Sequence, residues 1–198
     1  MEYITHLSKD KRFRKILAKQ VPYVLEQRKN IYRHLCASII SQQLSTKVAR
    51  VINQRFLSLY KNKKPSLQQI LETPVETLRG IGLSNAKAAY VRNVCKFFIE
   101  HKITDASLNK MENEELIELL TQIKGVGKWT VEMILMFTLG REDVFAIDDL
   151  AIKQSVIKLY NLDKTDKKIL KQQMLDISSK WAPYRTYACR YLWDWKDG

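Results

Sequence analysis

Along most of the chain apolar side chains recur three or four positions apart, the spacing of a helix with one buried face. Ile31, Leu35, Ile39 and Ile40 form one stripe, and Val48, Val51, Ile52 and Phe56 form the next. Tyr90, Val91, Val94, Phe97 and Phe98 form a third. Strand alternation bounded by hairpin turns is hard to find, so the predicted fold class is all-α.

Cap residues set the expected helix starts. Ser45 precedes a helix over Thr46–Tyr60, Ser66 opens a short one after Pro65, and Ser84 opens Asn85–His101. Asn113 is the expected cap of a helix to Ile123. A glycine turn at 125–127 leads into Lys128–Leu139, and the loop Gly140–Ile147 follows. Further helices are expected from Asp148/Asp149 to about Tyr160, over Thr165–Trp181 and over Pro183–Trp195. Loops are short and no linker is of low complexity, which predicts one compact unit or two tightly packed lobes.

Charge narrows the partners. The 198 residues carry 34 Lys+Arg against 21 Asp+Glu, a net +13. Neutralising phosphates releases condensed counterions, so this excess suits nucleic acid. Ribosomal or anionic-membrane surfaces are also compatible, and the clusters at Lys11–Lys15 and Lys61–Lys64 read as solvated faces. Cys36, Cys95 and Cys189 form no CxxC pair and read as buried thiols, with no metal or iron–sulfur site expected. The first residues are too polar for a signal peptide, and Met133–Leu139 is too short to span a membrane. The expected setting is intracellular, with no membrane partner.

Candidate chemistry lies between Leu120 and Leu150. In Ile123-Lys-Gly-Val-Gly-Lys-Trp129 a helix ends, a Gly-x-Gly turn follows and another helix begins. Glycines let a phosphate approach the backbone, and a helix N-terminus offers unpaired amides. Lys124 and Lys128 add charge, so Gly125, Val126 and Gly127 are candidate phosphate ligands. An ordinary helix cap explains the glycines equally simply. Leu78–Ser84 contains a similar turn, better read as structural. Asp148 and Asp149 stand in an apolar run, where a carboxylate needs a partner or a purpose. One can cap the next helix. The other can stabilise an oxocarbenium-like centre during cleavage of a glycosidic bond. A cationic alkylated purine leaves readily and is attracted to aromatic rings. Trp129, Met133 one turn further on, and Trp193 are candidates to meet it, although core packing is the commoner use of such residues.

Five ordered segments carry a resemblance: LCASIISQQLS from Leu35, GLSNAKAAY from Gly82, IKGVGKWTVE from Ile123, DVFAIDDLAIKQ from Asp143 and PYRTYACRYLW from Pro183. In order and spacing they resemble the helix-hairpin-helix DNA glycosylases, above all 3-methyladenine DNA glycosylase II, over about residues 31–195. The resemblance implies two helical lobes with an active-site cleft between them. A central lobe would span about 31–128, and 129–198 with the N-terminal segment would form the second; there is no room for an additional N-terminal β-rich domain. It implies Asp149 as the catalytic acid, Asp148 as the cap, and Trp129, Met133 and Trp193 in the base pocket. Gln43, with Leu44, would wedge into the duplex where a nucleotide is flipped out.

The same resemblance implies hairpin amides gripping a DNA phosphate, sometimes with a monovalent cation, and no cofactor needed for catalysis. Strand-cleaving relatives have a lysine where this chain has Trp129, and Lys128 projects about 100° away around the helix. Monofunctional excision of alkylated bases such as 3-methyladenine and 7-methylguanine is therefore expected. Met133 stands where a second aromatic occurs in relatives, which leaves the lesion range open. Residues 1–30, through Phe13 and Tyr23, are further pocket candidates. The expected partner is double-stranded DNA containing damaged bases, and the expected state a monomer. The setting would be the nucleoid in a bacterium or the nucleus in a eukaryote. Glycosylases for oxidised or deaminated bases, and a non-catalytic helix-hairpin-helix DNA-binding protein, are the competing readings.

Overall fold

A computed structural model describes residues 1–196. Among them are thirteen α-helices and no strand, as the helical spacing predicts. In chain order they are α1 (Glu2–Leu7), α2 (Phe13–Leu17), α3 (Ile31–Ser41), α4 (Thr46–Ser58), α5 (Leu67–Glu72), α6 (Val75–Gly80) and α7 (Asn85–Glu100). There follow α8 (Asp105–Asn109), α9 (Asn113–Leu120), α10 (Lys128–Phe137), α11 (Leu150–Tyr160), α12 (Lys167–Ser179) and α13 (Arg185–Lys196). The chain divides into two compact units, Arg28–Ile134, and Met1–Gln27 with the segment from Leu135 onward.

In the Arg28–Ile134 unit, α3 and α7 pack together, with α4 on α3 and α5 and α6 on α7. Ile31, Leu35, Cys36, Ile39 and Ile40 are buried, as their spacing predicts. On α4 the buried face is Ala49, Ile52 and Phe56, whereas Val48 and Val51 are exposed. The buried face is thus rotated from the expected stripe, toward Ala49. Ser45, Ser66 and Ser84 each accept a backbone N–H at a helix start. Asn113 does not cap α9: Glu112 does, in a reciprocal pair with Glu115. The Arg79–Leu83 turn closes through Gly82 N–H to Arg79 O and Leu83 N–H to Leu78 O, with Gly82 at φ +106°. It is structural.

In the other unit α13 packs against α11 and α2. Trp181 is fully buried, its ring centroid 5.2 Å from that of Phe13 and 5.8 Å from that of Phe145. Phe13 is therefore core and not a pocket residue. Tyr160, 6.3 Å from Trp181 between centroids, donates its hydroxyl to Asp10, and burial with that carboxylate pushes the phenol far above its usual range. The three cysteines are buried, as expected of apolar thiols.

Candidate functional site

The Gly-x-Gly turn is built by the Arg28–Ile134 unit. Gly125 has φ +104°, and a Cβ there would stand 2.2 Å from Cγ of Tyr90 on α7. Both the dihedral and the close approach require glycine. Lys124 O accepts from Asn93 Nδ2 at 3.2 Å, and Gly125 O accepts from Gln42 Nε2 at 3.2 Å. Two turn carbonyls are thereby drawn onto the unit's own side chains. Gly127 and Lys128 are exposed at the start of α10, whose first-turn amides have no partner within the helix.

Val126 departs from the expectation. Its side chain is buried and its N–H closes the turn onto Ile123 O at 2.9 Å. It shapes the turn and is not a spare phosphate donor. Lys128 pairs with Glu132 (Nζ–Oε1 3.7 Å), a nearly buried acid one turn along α10, while Lys124 is exposed.

The turn after α3 belongs to the same unit. Gln43 is exposed and left-handed (φ +56°), with Leu44 half-buried beside it. A non-glycine residue held there stores strain of about 1–3 kcal/mol, which the surroundings must sustain. Lys87 on α7 supplies the anchor, donating to Ile40 O (2.9 Å) and Gln42 O (2.6 Å), and its partial burial lowers the ammonium's pKa. Gln42 thus joins this turn to the glycine turn. Trp129, 43 % exposed, and half-buried Met133 lie one turn apart on α10.

Asp149 and Trp193 come together in the other unit. Asp149 is 9 % exposed, and its Oδ1 accepts the Ile152 N–H at 2.9 Å and the Trp193 indole N–H at 3.0 Å. The expectation that Asp148 caps α11 is wrong. Asp149 is the N-cap, whereas Asp148 is exposed. A capping carboxylate must turn back onto the first turn of its helix, and the backbone here (φ −68°, ψ 124°) gives Asp149 that geometry. Capping and placement beside an aromatic are thus one role, not two.

Phe137 lies 5.6 Å from Trp193 between ring centroids, and the Arg190 guanidinium sits 5.2 Å from the Phe137 ring and 4.2 Å from that of Tyr23. Sequence reasoning passes over Phe137, Arg190 and Glu132. Only Glu132 carries a signal, as an acid four positions after Lys128. Phe137 is brought to Trp193, and Arg190 to Phe137, by packing alone.

Comparison with known proteins places this geometry. Residues 36–180 match the family described as HhH-GPD superfamily base excision DNA repair protein. The chain belongs to the HhH-GPD superfamily. Among curated relatives, DNA-3-methyladenine glycosylase 1 of Schizosaccharomyces pombe is 38% identical, over 92% of this chain and 80% of that protein. Putative DNA-3-methyladenine glycosylase YfjP of Bacillus subtilis is 32% identical, over 87% of this chain and 60% of that protein. The S. pombe 3-methyladenine DNA glycosylase Mag1, solved in complex with abasic DNA, superposes with TM-score 0.87 at 34% identity. That alignment covers 100% of this chain and 98% of that one. The HhH-GPD segment contains the glycine turn and Asp149, while Trp193 lies beyond it.

Proposed function

We propose that this chain is a monofunctional DNA-N-glycosylase of base excision repair, acting as a monomer on double-stranded DNA with alkylated bases such as 3-methyladenine and 7-methylguanine. The observation that carries this reading is the buried Asp149 carboxylate, held by the Trp193 indole and the Ile152 amide in a family of base excision proteins. The names of the relatives point to the same substrate class. Its setting is wherever the cell keeps its DNA; no helix among the described residues is long and apolar enough to cross a membrane.

The reaction follows from the residues. A flipped nucleotide exposes its C1′–N bond. That bond breaks with its electron pair leaving on the cationic purine, which departs neutral. The sugar becomes an oxocarbenium-like cation, which the Asp149 carboxylate stabilises while orienting water. Water oxygen then bonds C1′ and its proton is lost. Trp129, Met133 and Trp193 face the base in this reading, Trp193 also holding Asp149. Gln43 and Leu44 fill the duplex gap. Lys124, Lys128 and the amides at Gly125, Gly127 and the start of α10 hold a phosphate. A monovalent cation suits the glycine turn better than a divalent one, since the turn has no carboxylate. No cofactor enters the chemistry, and with Trp129 in place of an amine the strand stays intact.

The test is release of free 3-methyladenine or 7-methylguanine from methylated duplex, followed by chromatography, with strand integrity read on a gel. Asp149→Asn keeps an N-cap oxygen, so it should fold normally and bind an abasic duplex while releasing no base. Full activity in that variant would remove Asp149 from the mechanism. A panel of alkylated, oxidised and deaminated lesions sets the substrate range, and binding without release of any base would favour the non-catalytic reading.

A further inference from the structure

We propose that Lys153, Lys167 and Lys171 form a second phosphate site, one that takes a backbone phosphodiester of the DNA strand beside the reacting nucleotide. The three line a cavity of about 160 Å³ with Asp148, above a floor that includes buried Leu170 and Met174. That space takes a small anionic group such as a phosphate. This inference rests on the reading that Asp149 meets the reacting sugar.

Electrostatics leads to an anion. Lys167 and Lys171 sit four apart on α12, where like charges repel and destabilise the helix. Lys153 on α11 adds a third ammonium to the same cavity. Among the described residues none of the three belongs to an ion pair within 4.0 Å. Of the residues lining the cavity Asp148 is the acid, which leaves the lining an excess of two positive charges, three minus one. Asp166, outside the lining, directs its carboxylate onto the Lys168 and Ile169 amides as the cap of α12. Three flexible ammonium groups can share the two anionic oxygens of a phosphodiester, each of which has more than one lone pair.

Position selects the source. Asp148 lines the cavity and is the chain neighbour of Asp149. Consecutive Cα atoms are about 3.8 Å apart, so the cavity adjoins the segment that carries Asp149. A DNA strand whose sugar meets Asp149 brings its own phosphates to that neighbourhood.

The experiment is a methylphosphonate scan. Duplexes with an uncleavable abasic analogue carry one neutral linkage at a time around the lesion, and binding is read by fluorescence anisotropy. The proteins are wild type, Lys153→Gln/Lys167→Gln/Lys171→Gln, and Lys168→Gln as a control on the same helix. For wild type and the control, neutralising one or two adjacent linkages should weaken binding about threefold or more; in the triple variant those positions should have no effect. The variant's salt slope should also fall by about 0.9 for each phosphate it no longer neutralises. Persistence of every linkage effect in the triple variant overturns the proposal. So does lysine-dependent binding of inorganic orthophosphate, read by titration calorimetry, with an unchanged DNA slope. If the triple variant melts early, Lys153→Gln and Lys171→Gln singly should each lose part of the same linkage effect. The scan needs no excision, so its failure is separable from failure of the glycosylase reading, which Asp149→Asn tests.

Discussion

Trp193→Phe separates two properties that the indole combines. Phenylalanine keeps a flat ring beside Phe137, 5.6 Å away between centroids, but loses the N–H that meets Asp149 Oδ1 at 3.0 Å. A hydrogen bond to a charged group is worth about 1.5–3 kcal/mol, and Asp149 at 9 % exposure is poorly compensated by water. If the whole of that bond acts in the transition state, the rate falls about 10- to 150-fold at 1.36 kcal/mol per decade. The Ile152 N–H, at 2.9 Å on the same oxygen, still holds the carboxylate, so a loss of about tenfold is expected. The assay is single-turnover release of 3-methyladenine from a lesion duplex, beside the Kd for an abasic duplex and a thermal melt. The expected result is a slower chemical step with Kd and Tm little changed. An unchanged rate in Trp193→Phe, while Asp149→Asn is inactive, would refute the hydrogen-bond argument and leave Trp193 as a wall only.

Three further outcomes follow from the same geometry. Gly125→Ala forces a Cβ to 2.2 Å from Tyr90 at a φ of +104°, so it should destabilise the protein by about 2–4 kcal/mol in a urea titration and weaken DNA binding; wild-type stability and affinity would contradict the packing argument. Ser84→Ala removes the cap of α7, the helix that carries Lys87, Tyr90 and Asn93, at a cost of about 1 kcal/mol in the same titration. His34 has its pKa lowered from 6.5 by burial and then by Arg28, so between its folded value and 6.5 the unfolded chain binds more protons than the folded one. Stability therefore rises with pH through that window and falls as pH drops below 6.5; His34→Gln should flatten this part of a Tm-against-pH curve, and an unaltered curve would rule the histidine out.

Much of the molecule is legible in the sequence because its information is local. Serine caps, the Gly-x-Gly turn and the stripes of α3 and α7 depend on residues a few positions apart and appear in the structure, whereas the α4 stripe is found only in part, at Ile52 and Phe56. The short helices α1, α2, α6 and α8 leave little trace, since five or six residues are too few for a periodic pattern. The cap of α11 escapes sequence reasoning because adjacent aspartates look alike along a chain, and only the backbone dihedrals distinguish the one that turns back.

The sequence by itself determined the fold class, the basic character and the family resemblance, all of which follow from composition, spacing and order. Partnership was decided by the tertiary structure. Gln42 reaches Gly125 across 83 positions, and Trp193 reaches Asp149 across 44. Phe137 joins Trp193, and Arg190 joins Phe137, only through packing. Such pairings depend on which helix faces are buried against one another, and no spacing along the chain encodes them.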